Sequence, residues 1–293
     1  MATAFDRYGL FLGCTWAYRL FRRHQTELNA LYWAHAPVVS DARERSKAAA
    51  SSASAVEFFG FSGADAHRAN WPMPVWRRAF DQFEGWVRLN AVMAASSYFE
   101  LYLKAMVCLA LESDPAAQLG KSRAVDGVEL LKHGVQRDYW DGADKCITGS
   151  WERRLRSYEG YFGVVPTGLS SEVGRLEAIR ELRNSVGHSF GRALKRYGLR
   201  SEGKSSPMYS LSVRDLQELL KLFDDLALVV DAHLGRTHIG EYETLHYYHT
   251  WKPPRKDATL RRARAFSKAL NTLHNAGSNW RFAEAAIKYY EGL

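Results

Sequence analysis

Apolar residues recur along most of this chain at the spacing of an α-helix. The clearest case follows Ser212 and forms one apolar stripe among mostly acidic positions: Leu216, Leu219, Phe223, Leu226, Val230 and Leu234. Ser212 and Asp215 have the spacing of a capping box, with Asp in place of the usual Glu, so the helix is predicted to begin there. Sustained alternation of Val, Ile and Thr, which is typical of strands, is nearly absent. The pattern predicts an all-α protein.

A second long helix is predicted from about Phe80 to Glu112. It is apolar nearly all round, which indicates burial on most sides, and Asp114 and Pro115 stop it. Glu100 and Lys104 lie at the middle of its most apolar part. A lipid-spanning helix rarely tolerates such a pair, so we predict a buried core helix and no membrane-spanning segment here.

Weaker signals divide the rest of the chain. One or two helices are expected in 1–36, a Ser/Ala-rich linker in 40–63 and a proline boundary at 70–76. Shorter helices are expected around 124–136, 150–158 and 172–187, and two more in 253–293, with a break at Asn275–Gly277. We therefore predict three parts: an N-terminal helical extension (1–79), a main helical domain (80–237) and a basic helical C-terminal extension (238–293).

Charge is distributed unevenly along the 293 residues, whose formal net charge is +8. Residues 251–293 hold nine Lys and Arg against three Asp and Glu, and 161–210 hold eight against four. Residues 211–250 reverse the balance, with three against seven. Localised positive charge of this kind favours a polyanionic partner such as RNA.

Cysteine usage and motif content exclude several classes of protein. Three widely spaced cysteines form neither a disulfide framework nor a Cys-pair metal site, which predicts a reducing, cytoplasmic compartment. The chain has no Gly-rich phosphate loop, no Gly-x-Ser-x-Gly elbow and no His-Glu-x-x-His motif. His246 and His249 lack a supporting Cys or acidic cluster, so neither a metal nor a cofactor is expected.

The stretch ELRNSVGHSFGR, residues 181–192, carries the candidate chemistry. On a helix that advances ~100° per residue, Arg183 falls inside the apolar arc, where a guanidinium needs a carboxylate, a phosphate or another chain. His188 is ~140° away on an unbroken helix. Gly187 suits the left-handed position that ends a helix, so we predict that the chain turns there and brings His188 beside Arg183.

An Arg-Asn pair, three residues and a His at the end of the third helix of a four-helix core resemble the motif of the HEPN superfamily. SSYFELYLKAM, in the preceding long helix, is similar to the first HEPN helix, which often carries an inward Glu. The resemblance covers about 80–237. It implies an all-α, HEPN-like four-helix core, here with additional helices at both termini, and a homodimer in which two motifs face each other.

The resemblance also implies an activity. Many HEPN proteins are metal-independent ribonucleases of toxin and antiviral defence systems, which leave a cyclic phosphate and a 5′-hydroxyl. Such cleavage needs proton transfer, which His188 can perform near neutral pH, and cationic stabilisation of the phosphorane, which Arg183 can supply. Asn184 is expected to orient the histidine or the ribose. Glu100 is expected to hold Arg183, or else to form only a helical ion pair with Lys104.

Basic residues near the motif are candidates for contacts with the RNA backbone, tRNA included: Arg180, Arg192, Lys195 and Arg196. Those after the motif, with Arg200, can equally form a solvated loop. The basic helix with Arg261, Arg262, Arg264 and Lys268 is an RNA-binding arm, a membrane-surface helix or a partner helix, and the sequence does not choose.

Three functions remain open at this point. The first is a HEPN-type endoribonuclease that acts as a toxin or antiphage effector. The second is a non-catalytic HEPN-like module that binds RNA or protein, although the intact Arg183 and His188 pair favours catalysis. The third is a helical scaffold whose basic tail, residues 251–293, docks on a partner. Both terminal extensions are candidate binding sites for a partner or regulatory protein.

Overall fold

The computed structural model describes residues 5–135, 137–189, 208–251, 259–274 and 277–293. These residues contain twelve α-helices and no strand, which confirms the all-α prediction. The helices are α1 (Trp16–Lys47), α2 (Ala55–Phe59), α3 (Met73–Ser113), α4 (Gly127–Lys132), α5 (Trp140–Ala143), α6 (Trp151–Phe162), α7 (Thr167–Ser170), α8 (Val173–Ser189), α9 (Val213–Val230), α10 (Tyr242–Thr250), α11 (Thr259–His274) and α12 (Trp280–Gly292). A π-helical segment, Asp231–Ile239, follows α9.

Helix α3 ends at Ser113, as the stop signal at Asp114 predicts, but begins earlier than predicted, at Met73. Two prolines lie at its start, and the carbonyl of Pro72 accepts backbone hydrogen bonds from Val75 and Trp76. The first turn of a helix tolerates proline because its backbone N–H groups have no partner within the helix. The predicted boundary at 70–76 is therefore the start of the long helix.

Helix α1 departs furthest from the prediction. It begins after Thr15, whose hydroxyl accepts a hydrogen bond from the backbone N–H of Tyr18 at 3.1 Å. It then continues through Pro37 to Lys47, so the first part of the predicted linker at 40–63 is helical. A proline removes one backbone hydrogen bond from a helix interior, and the 32-residue helix continues despite that loss.

The capping box at the start of α9 is confirmed. The backbone N–H of Asp215 donates to the Ser212 hydroxyl at 3.0 Å, and the backbone N–H of Ser212 donates to the Asp215 carboxylate at 2.8 Å. Most of the apolar stripe that follows is buried at 2% exposure or less: Leu216, Phe223, Leu226, Val230 and Leu234. Period and cap thus act together, as the sequence predicts.

The chain divides into two compact units that interleave along the sequence. The first unit comprises Met1–Arg23, Tyr98–Glu177 and Phe223–Leu293, and the second comprises His24–Ser97 and Ala178–Leu222. These units do not follow the predicted boundaries after residues 79 and 237. Both predicted extensions supply part of the first unit.

Buried aromatic rings and one buried arginine hold the first unit together. The Phe99 ring packs against the rings of Phe21 and Phe223. Arg7, 6% exposed, donates to the Asp126 carboxylate at 3.0 Å and to the carbonyl of Ile239 at 2.7 Å. This arginine joins three parts of the chain that lie more than 100 residues apart.

In the second unit, α1 and α3 are joined by polar and aromatic contacts. Arg43 pairs with Asp81 at 2.8 Å and with Glu84. The ring of His35 on α1 also contacts the ring of Phe83 on α3, with 6.5 Å between the ring centres. These contacts hold the first half of α3 against the second half of α1.

Among the described residues, α3 is the one helix long and apolar enough to cross a membrane by length and composition. Its most apolar 18-residue window has a mean hydropathy of 1.3, and 56% of that window is buried inside the protein.

Candidate functional site

The Arg-Asn motif lies on the last two turns of α8, within the second unit. The apolar side of this helix is buried at Leu176, Ile179 and Val186. Arg183 and Asn184 are half-buried, and His188 is exposed. Arg180, one turn before Arg183, is half-buried as well. The motif therefore lies where α8 passes from half-buried to exposed positions.

The predicted turn at Gly187 is wrong. Helix α8 continues through Gly187 and His188 to Ser189, and Gly187 is not among the described glycines with positive φ. A Cβ at Gly187 would meet no atom within 4 Å, so close packing does not require a glycine there either. On this continuous helix His188 lies ~140° around the axis from Arg183. The backbone of one chain thus directs the two side chains to different sides.

Glu100 has a partner on α6, and its expected contact with Arg183 stays a prediction. Its Oε1 accepts a hydrogen bond from Arg154 Nη1 of α6 at 2.8 Å, and the two side chains are 13% and 3% exposed. Among the described residues Glu100 forms no pair with Lys104, whose Nζ pairs instead with Asp144 at 2.6 Å and lies over the Trp140 ring. Glu100 and Lys104 thus each pair with an opposite charge of the first unit, as largely buried charges require.

The basic residues that follow the motif lie outside the described residues: Arg192, Lys195, Arg196 and Arg200. Their predicted contacts with RNA stay predictions. Arg180 is the one predicted RNA contact that falls on a described part of the chain.

A buried polar network in the first unit was not predicted from the sequence. Asp114 Oδ2 accepts hydrogen bonds from His238 Nδ1 at 2.8 Å and from the Ser122 hydroxyl at 2.6 Å. Asp114 Oδ1 accepts the backbone N–H of Arg123 at 2.8 Å, and Arg123 has φ +63°. Burial opposes ionisation of Asp114, but these three hydrogen bonds outweigh it and lower the carboxyl pKa.

The geometry of this network does not fit a catalytic Ser-His-Asp triad. A Ser-His-Asp triad needs the serine at the imidazole nitrogen opposite the one that meets the aspartate. Here Ser122 and the Asp114 carboxylate both lie on the Nδ1 side of His238. The carboxylate therefore fixes the loop after α3 in place. Asp114 was predicted only as a helix stop, and no sequence signal marks His238 as its partner.

A second buried acidic cluster surrounds the start of α1. Asp231 Oδ1 accepts hydrogen bonds from the backbone N–H and the hydroxyl of Thr15 at 3.1 and 2.5 Å. The Glu243 carboxylate accepts the backbone N–H groups of Trp16 and Ala17 at 2.8 and 3.2 Å. Carboxylates from distant positions thus satisfy the first N–H groups of this helix, where its dipole favours negative charge.

The described residues contain no group of three or more His, Cys, Asp or Glu side chains placed to hold a metal ion. His249, one of the two histidines in HYYHTW, is bonded through Nδ1 to the Tyr290 hydroxyl at 2.5 Å. Its neighbour on α10, His246, has a lowered pKa because burial disfavours the charged ring. His249 is thus bonded to α12, and the ring of His246 contacts that of Tyr242 on the same helix.

Comparison with family models, with curated proteins and with solved structures gave no match to this chain.

Proposed function

We propose that this protein is a HEPN-type, metal-independent endoribonuclease whose catalytic residues are Arg183 and His188. The observation that carries the proposal is the Arg-Asn-x-x-x-His motif on the last two turns of α8, with Arg183 half-buried and His188 exposed. A half-buried guanidinium can hold two phosphate oxygens in a fixed geometry. An exposed imidazole can exchange protons near neutral pH.

The reaction transfers the phosphoryl group within the RNA. A base takes the proton of the 2′-hydroxyl, whose oxygen then attacks the adjacent phosphorus. The bond from phosphorus to the 5′-oxygen breaks, and an acid protonates that oxygen. The products are a 2′,3′-cyclic phosphate and a 5′-hydroxyl, with no net change in protons. His188 is assigned the proton transfers, Arg183 the charge of the phosphorane and Asn184 the orientation of the imidazole or the ribose.

The continuous helix favours a site made by two copies of the chain. Because His188 lies ~140° from Arg183 on α8, one helical motif does not direct both groups at one phosphate. In a two-fold dimer the same patch meets itself, so His188 of one copy can lie beside Arg183 of the other. Two such pairs would supply both the base and the acid that the reaction needs. The toxin or antiphage role stays what the HEPN resemblance implies.

The same angular separation also favours a second candidate, a non-catalytic module that binds RNA through Arg180 and Arg183. The two candidates differ in whether they produce RNA fragments with 5′-hydroxyl ends. The test is incubation of the purified protein with total tRNA and a mixed RNA in EDTA, with denaturing gels and end-group analysis. The ribonuclease produces fragments with 5′-hydroxyl ends, whereas the binding module leaves the RNA intact.

Matched variants assign the activity to the motif. Arg183→Ala and His188→Ala should each lower the cleavage rate by about 100-fold or more. The controls are Arg175→Ala, which removes an exposed arginine of the same helix, and His133→Ala, which removes another exposed histidine. Cleavage that survives in either motif variant, or that falls equally in the controls, contradicts the assignment.

A further inference from the structure

Helix α11 buries its apolar side within its own fold. Ala263, Phe266 and Leu270 belong to a core cluster that α10 and α12 complete with Tyr248, Phe282, Ala283 and Ile287. The three α11 residues are 0–1% exposed. A membrane-surface helix or a helix that enters a partner's groove needs a free apolar face. The fold therefore disfavours two of the three functions that the sequence left open for this helix.

The other side of α11 is cationic. Arg261, Arg264 and Lys268 are exposed and follow each other at spacings of three and four, so they lie along one side of the helix. Helix α11 carries no Asp or Glu. Arg262 is occupied by Glu291 at 2.6 Å. In the described part of the chain, neither Arg264 nor Lys268 pairs with a carboxylate.

An exposed indole lies beside these charges. Arg264, Lys268 and Trp280 line one surface groove together with Ser267, Asn271 and Thr272, which we call the α11–α12 groove. Trp280 is 36% exposed, and the guanidinium of Arg281 lies 5.4 Å from the centre of its ring. Alternating cations and an exposed aromatic ring are the components with which proteins bind single-stranded nucleic acid.

Hydrogen bonds hold this groove in one shape. Asn271 donates to the carbonyl of Ser278 at 2.9 Å and accepts its backbone N–H at 2.7 Å. Asn279 then caps α12 by accepting the backbone N–H of Phe282 at 2.9 Å. Trp280 is therefore fixed relative to α11 before any ligand binds, which reduces the entropy lost on binding.

We infer that the α11–α12 groove binds single-stranded RNA, with a base stacked on Trp280 and phosphates held by Arg264 and Lys268. The choice of RNA over another polyanion rests on the proposed function. The groove is separate from the motif in sequence and belongs to the first unit, whereas the motif belongs to the second. Binding can therefore be tested without cleavage.

The test uses the full chain and a fluorescein-labelled 12-nucleotide RNA with 2′-O-methyl groups, which cannot undergo transesterification. Fluorescence anisotropy should give a Kd that rises about tenfold in Trp280→Ala, the effect of losing one stacked base. Trp280→Phe keeps an aromatic ring and should recover most of the affinity. The control Trp71→Ala removes an indole of similar exposure, 42%, and should bind as the wild type does.

The cations are tested by salt dependence. Loss of two phosphate contacts in the double variant Arg264→Gln and Lys268→Gln should reduce the slope of log Kd against log salt concentration by about 1.4. The control Arg214→Gln changes an exposed arginine of α9 that is paired with Glu218 and should leave the slope unchanged. Circular dichroism of each variant shows that the helices are intact.

Several results would overturn the inference. They are wild-type affinity in both Trp280→Ala and the double variant, or groove variants that lose affinity for phosphatidylserine vesicles while RNA binding is unchanged. The cleavage assay tests the proposed ribonuclease function independently of this binding assay. If the protein binds RNA through the groove but does not cleave RNA, only the proposed ribonuclease activity is contradicted. If the protein cleaves RNA and the groove variants bind RNA as the wild type does, only the proposed binding site is contradicted.

Discussion

Arg154 of α6 donates a 2.8 Å hydrogen bond to Glu100 of α3, and both charged groups are withdrawn from solvent. The guanidinium also lies over the Trp151 ring at 4.6 Å. A carboxylate near the middle of an apolar helix thus pairs with an arginine 54 positions further along the chain. The pair fixes α6 against α3 in the first unit.

Removal of one partner of this pair should destabilise the protein strongly. Arg154→Met leaves the Glu100 carboxylate buried without its guanidinium, and breaking such pairs costs about 3–5 kcal/mol. The double variant Glu100→Gln and Arg154→Met removes both charges of this pair and should recover part of the loss. Urea unfolding of the two single variants and the double variant measures this coupling. Additive losses would show that the pair contributes no interaction of its own.

Substitution of Gly187 tests whether the active motif is a continuous helix or needs the chain to turn at Gly187. Gly187→Ala should stabilise α8 by about 0.5–1 kcal/mol, because alanine loses less conformational freedom in a helix and a Cβ there meets open space. Cleavage should be unchanged if the active motif is the continuous helix in a two-copy site. A large loss of cleavage with raised stability would instead show that the chain must turn at Gly187 for activity.

The acidic cluster at the start of α1 should make stability fall as pH rises. Burial raises the pKa of Asp231 and Glu243, and raises that of Glu243 to about 7. A carboxyl whose folded pKa exceeds its unfolded value contributes stability below the unfolded value, about 4.3 for Glu, and that contribution is lost as pH rises through the folded pKa. The free energy of unfolding from urea should therefore decrease between pH 5 and pH 8.

Glu243→Gln is the matched variant for this effect. Glutamine keeps one oxygen, which can accept the N–H group of either Trp16 or Ala17, and it does not ionise. The decrease between pH 5 and pH 8 should be smaller in this variant than in the wild type. Equal decreases would assign the pH dependence to other groups.

The contribution of Asp114 to stability should be lost as pH falls, whereas that of the acidic cluster is lost as pH rises. Its folded pKa is lowered by the hydrogen bonds from His238, Ser122 and Arg123, which outweigh burial. Its contribution to stability is therefore present above the unfolded pKa, about 3.9, and is lost as pH falls through the lower folded value. Asp114→Asn should be less stable at pH 7 and should show a shallower loss of stability between pH 4 and pH 2, measured by urea unfolding monitored by tryptophan fluorescence. A loss as steep as that of the wild type would contradict this role.

Expression in a heterologous bacterial host tests the biological role that the HEPN resemblance implies. The wild type should arrest growth, because an active endoribonuclease degrades cellular RNA, and His188→Ala should not. Growth curves at matched protein levels measure the difference. Arrest by both proteins would separate toxicity from the motif.

The sequence by itself determined the features that depend on neighbouring residues of one helix, namely where helices form and where they begin or end. The apolar period predicted the helices, Ser212 and Asp215 marked the start of α9, and Asp114 marked the end of α3. These signals are readable because capping and periodicity act over three or four residues. The motif at Arg183 and His188 is local in the same sense, and its residue types already suggest phosphate chemistry.

Only the tertiary structure decided which distant groups meet. Glu100 has Arg154 as its partner, Asp114 has His238, and Trp280 lies beside Arg264 because packing, and not local spacing, brings those elements together. Gly187 shows the limit of a local rule, since a glycine that suits a helix end can equally continue a helix. A period identifies the buried side of a helix, but the partner of a buried charge depends on which of many side chains the fold places within hydrogen-bonding distance.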